Sequence, residues 1–191
     1  MHTTTRAVPI LLLVSAMAFG PALAQTDHPA PSADPVMEDL VVRVEELARK
    51  MIMLAEAMPE EAYDWQPMEG VRSVGDVFVH IAGDNWWLPT HVGVQPPEAA
   101  GITADFATVR AYEARPVTKA EVIEHLEDSF QHIVEAMRGT PSERMEEPLT
   151  MFGQPHTVRS MWVLTTTHMH EHLGQSIAYA RANRVKPPWS R

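Results

Sequence analysis

The chain has 191 residues, 45% of them hydrophobic, no cysteine, and a formal net charge of −10 at pH 7. That length suffices for one domain with a real core. The missing cysteines exclude disulfides and a lipid-bearing cysteine, and the acidity argues against DNA, RNA or anionic lipid surfaces as partners.

The first 24 residues, MHTTTRAVPILLLVSAMAFGPALA, join an early Arg6, a short apolar run and a small-x-small ending at Ala22-Leu23-Ala24. They read as a secretory signal peptide cut after Ala24, which sends the protein to the periplasm or outside the cell. The apolar run is shorter than the roughly 20 residues of a spanning helix, so no stable membrane insertion is expected after cleavage. Residues 25–35, QTDHPAPSADP, read as a flexible linker in which His28 is solvated.

The domain proper spans 36–191. Leu40, Val44, Leu47, Met51, Leu54 and Met58 recur at spacings of three and four, marking a first helix that Pro59 stops. A second begins after Ser73, an N-cap paired with Asp76, and runs to Pro89. Residues 90–117 read as loop with a turn of helix. Thr118 and Glu121 form a capping box for a third helix reaching Gly139, and a fourth spans about 157–182. No segment alternates as a strand does. The expectation is an all-α four-helix bundle with a long crossover between helices two and three.

The last helix holds THMHEHLGQ, residues 167–175. At about 100° per residue, His168 and His172 lie about 40° apart on one face, whereas His170 points away. Two imidazoles so placed suit zinc, nickel or iron, although a pair of surface histidines has the same spacing. His80 sits among apolar residues in VFVHIAGD and is the candidate third ligand; a satisfied core histidine is the alternative. His91, His125, His132 and His156 fall in loops or on charged helix faces and read as solvated.

Helical phase nominates neighbours. Thr165, Gln175 and Tyr179 share the face of the histidine pair, and Glu171 lies at its rim. Asp76 and Asp84 flank His80 by one turn each, with Asp76 spent on the helix start, and Trp87 follows on the same face. Asp84, Glu171 and Gln175 are the candidates for general base or water positioning. The 12 methionines raise a copper-handling reading, but methionine is the usual filler of irregular cores.

The segments VRSVGDVFVHIAGDNWWLP and THMHEHLGQSIAYARANRVKPPWSR resemble the two signature segments of the DinB/YfiT-like family, the terminal PPWSR resembling its secreted branch. The resemblance runs from about residue 36 to 191. It implies a four-helix bundle that binds a divalent metal between helices through His80, His168 and His172. The chain departs at Arg184, where the pattern leads one to expect Gly.

Three histidines leave a coordination position open, as catalytic sites do. The resemblance implies two chemistries, hydrolysis by a metal-bound water and metal-dependent thiol transfer. An oxidising compartment is short of small thiols and favours the first. The alternatives are a non-catalytic periplasmic metal-sequestering protein and a helical interaction module with vestigial histidines. The substrate is an unidentified small molecule. A homodimer fits such a bundle, with no interface marked in the sequence.

Overall fold

The computed structural model describes residues 34–190. The predicted signal peptide, its cleavage site, His28 and the linker up to residue 33 lie outside the described residues. The last two linker positions are helical in role: Asp34 caps the first helix by accepting from the Val36 and Met37 amides, and Pro35 opens it. Proline suits that position because its missing N–H has no partner in a first turn.

The helices are α1 (Pro35–Ala57), α2 (Val74–Trp87), α3 (Phe106–Glu113), α4 (Lys119–Arg138) and α5 (Val158–Ala182). The capping boxes read at Ser73/Asp76 and Thr118/Glu121 are both formed. Pro89 does not stop α2 outright. The chain tightens after Trp87 into a 3-10 turn, Leu88–Val92, that takes Pro89 in its first positions. Lys119 ties α1 to α4, its ammonium donating to the Glu56 and Met58 carbonyls at the end of α1.

α4 and α5 each pack against both α1 and α2, so the four long helices enclose one core, in line with the expected all-α bundle. Phe78, Trp162, Leu54, Ile81, Leu126 and Ile133 fill it. Met37, Met51, Met58 and Met137 lie in the same core, each nearly inaccessible, which accounts for them as packing. Among the described residues no helix is long and apolar enough to cross a membrane.

Two features depart from the sequence reading. The single turn of helix expected in the crossover is α3, eight residues long and docked on α2. Gly83 permits the docking: a Cβ there would meet Tyr112 at 3.3 Å and Val109 at 3.4 Å. The segment before α5 is a β-hairpin, β1 (Pro148–Met151) paired antiparallel with β2 (Gln154–Thr157). Phe152 and Gly153 turn it with φ of 52° and 73°, the two left-handed residues that a tight hairpin turn requires.

Candidate metal centre

Two neighbouring long helices build the site, and α3 buttresses it. His80 and Asp84 stand one turn apart on α2, and His168 and His172 one turn apart on α5. The ring centroids are 5.5 Å apart for His80–His168, 4.7 Å for His80–His172 and 4.5 Å for His168–His172. One nitrogen from each ring lies within 4.8 Å of the other two, close enough to share an ion. The three rings therefore meet: helical spacing put His168 and His172 on one face, and His80, the candidate third ligand, joins them. His170 does turn away: it is exposed, with Nδ1 on the Thr166 carbonyl.

Each ring is held by a second group. Glu113, at the end of α3, places Oε1 2.6 Å from His80 Nδ1. A carboxylate there fixes the proton on Nδ1 and leaves Nε2 as the ligand atom. Gln175 does the same for His172, its Oε1 2.8 Å from Nδ1, while its Nε2 donates to the Tyr179 hydroxyl. Asp84 Oδ2 lies 2.8 Å from His168 Nε2 and 3.5 Å from His80 Nε2. His80 and Asp84 are buried, at 8% exposure each.

Local electrostatics lower the pKa of His172 and, in net, that of Glu113. Burial pushes the His172 pKa down, and the neighbouring His168 and His80 push it further, against the bond from Gln175. Burial alone raises the Glu113 carboxyl, but the His80 hydrogen bond and the charges of His80 and Arg72 outweigh it, so the net shift is downward. Arg72 reaches Glu113 Oε2 at 3.3 Å, completing a chain Arg72–Glu113–His80.

Of the other nominated residues, Asp84 joins His80 and Glu113 in a second metal-capable group beside the triad, and Gln175 lies behind His172. Glu171 is exposed and belongs to neither cluster of metal-capable groups among the described residues. Thr165 is fully buried with an unpaired hydroxyl. Asp76 accepts from the Ser73 amide. Trp87 donates to the Ala104 carbonyl and packs on His91, Phe106 and Phe152. Glu113 and Arg72 were not nominated; a charged residue beside a loop gives no periodic signal.

The four histidines read as solvated are all partly buried instead. His91 bonds the Leu88 carbonyl, and His156 lies 3.2 Å from Ser160 Oγ. His125 packs on Tyr112 and His132 on Trp86, each with one buried, unpartnered ring nitrogen. The crossover helix α3 covers His125 and α2 covers His132, which periodicity within α4 does not reveal.

The sequence pattern of the DinB superfamily matches residues 43–176. Among solved structures, a DinB-like protein from Bacillus cereus ATCC 10987 is 15% identical with a TM-score of 0.66, covering 81% of this chain and 97% of its own. A DinB-like protein from Bacillus subtilis, YjoA, is 17% identical with a TM-score of 0.61, covering 78% of this chain and 93% of its own. At those identities the likeness speaks for the fold. No curated protein matches significantly.

Proposed function

We propose, from the premise that the chain belongs to the DinB superfamily, that it is a divalent-metal protein serving a hydrolytic reaction on a small molecule in the periplasm or outside the cell. The observation that carries the reading is the convergence of His80, His168 and His172, two of them already oriented through Nδ1 by Glu113 and Gln175. Neutral imidazoles at this spacing suit zinc, nickel or iron. Such an ion supplies Lewis-acid polarisation and lowers the pKa of a coordinated water.

The chain's own residues do the rest. Glu113 and Gln175 hold two rings in the tautomer that presents Nε2. Asp84, buried with Oδ2 near Nε2 of both His80 and His168, is a carboxylate placed to accept a proton beside the triad. Glu171 faces solvent and gives no comparable support to a base role.

The test is elemental analysis of untagged mature protein beside the His168→Ala/His172→Ala double variant. One equivalent of metal in the first and none in the second supports the site. Metal together with turnover on an ester, amide or phosphate panel supports the hydrolase, and metal without turnover turns the reading to sequestration. No metal in either protein, even after reconstitution, ends both readings.

A further inference from the structure

Asp84 has more to do than accept a proton. Around an ion with bonds of about 2.0–2.1 Å, two neighbouring tetrahedral ligands stand roughly 3.4 Å apart, and two neighbouring octahedral ligands about 3.0 Å. Asp84 Oδ2 lies 2.8 Å from His168 Nε2 and 3.5 Å from His80 Nε2. Its carboxylate thus already stands at ligand–ligand separation from two of the three histidines. Hydrogen bonding alone explains the first distance, but not why the same oxygen is also placed so near His80.

Charge points the same way. Three neutral histidines leave a divalent ion uncompensated, and a buried uncompensated charge is costly. Asp84 is buried, and among the described residues its side-chain partners are the two imidazoles of His80 and His168. Glu113 offers its charge through His80 and divides it with Arg72. Among the described residues, Asp84 and Glu113 are the carboxylates grouped with His80 at metal-holding distance, and because Glu113 is already paired with Arg72, Asp84 is the one whose charge is left to meet the ion directly.

We infer that Asp84 is a fourth, displaceable ligand, so that the resting centre is a closed three-histidine, one-aspartate site. This rests on the metal-binding reading above and deepens it. A closed site opens only when a competing donor displaces the carboxylate. The substrate class that follows is one bearing an anionic oxygen, such as a carboxylate or phosphate ester, which replaces the charge it removes. The displaced Asp84 then stands beside the bound substrate, where its carboxylate accepts the proton lost by the water that attacks the substrate.

Cobalt(II) tests this, because its visible absorption reports coordination number and exchangeable ligands. Wild-type protein loaded with one equivalent of cobalt is titrated with azide beside Asp84→Asn and Asp84→Ala, with circular dichroism confirming the fold. The expected result is a spectrum that azide shifts in both variants at a concentration at least tenfold below that needed in the wild type. Equal azide affinity in all three proteins, with the same starting spectrum, overturns the fourth-ligand assignment while leaving the three-histidine site in place. Failure of the wild type to bind cobalt at all overturns the metal reading itself and the fourth ligand with it.

Discussion

The Glu113 carboxylate, carried by a helix of the crossover, lies 2.6 Å from His80 Nδ1 and thereby couples a peripheral element to the centre of the bundle. Its position is set by packing one turn farther along α2, where Gly83 lets Tyr112 and Val109 come close. Groups that orient a metal-bound histidine are typically worth about 10–100-fold in metal affinity. Glu113→Ala is therefore expected to weaken zinc binding by that order in a chelator competition. Glu113→Gln, which keeps an acceptor and loses the charge, should fall between. Wild-type affinity in Glu113→Ala would remove the carboxylate from the metal centre's design.

Gln175 holds His172 from the other side and is itself held by Tyr179. Gln175→Ala frees the ring and should cost about tenfold in affinity. Tyr179→Phe removes only the outer bond and should cost less. Isothermal titration of the two variants with zinc checks the order; a larger loss in Tyr179→Phe would contradict it.

Acid should destabilise the metal-free protein. His91, His125, His132 and His172 all have pKa values lowered chiefly by burial. Below the unfolded histidine value of about 6.5, the unfolded chain binds more protons than the folded one, so stability falls as pH drops through that window. Glu113, lowered in net by His80 and Arg72, adds a further loss below its ordinary carboxyl range. Thermal melts of metal-free protein from pH 7.5 to 5 should show a falling midpoint, with a shallower slope in His132→Gln. A midpoint independent of pH in the wild type would contradict the burial of these rings.

The parts legible in the sequence are those governed by local rules. Ser73 with Asp76 and Thr118 with Glu121 announce helix starts because the bonds close within four residues. His168 and His172 announce a shared face because helix geometry fixes it. The parts not legible depend on distant chain. Glu113 gains its role only because Gly83 admits α3. His125 is covered by Tyr112 of the crossover and His132 by Trp86 of α2, and α4 carries no local sign of that cover. The hairpin was hidden because Pro148 and Pro155 sit in its strands, where proline argues against a strand, and Phe152 takes a left-handed turn position that glycine or asparagine usually fills.

Arg184 shows a local rule broken and the break still readable. After α5 the Val185 amide donates to the Ala180 carbonyl at 2.8 Å and the Arg184 amide to that of Arg181 at 3.0 Å, the paired bonds of a Schellman ending. That motif puts one residue in the left-handed region, and Arg184 occupies it with φ of 61°. The glycine expected there from sequence pattern is thus what the backbone itself favours. A side chain in this conformation costs about 1 kcal/mol, partly offset by the greater freedom glycine has when unfolded. Arg184 is exposed, and among the described residues its side chain has no hydrogen-bond or ion-pair partner that its loss would break. Arg184→Gly should therefore raise stability by roughly 0.5–1 kcal/mol in urea unfolding, with zinc affinity unchanged because the Schellman ending lies three turns beyond His172. A destabilised variant would show that the arginine serves a contact beyond the single chain, and a changed zinc affinity would show that the end of α5 governs the centre.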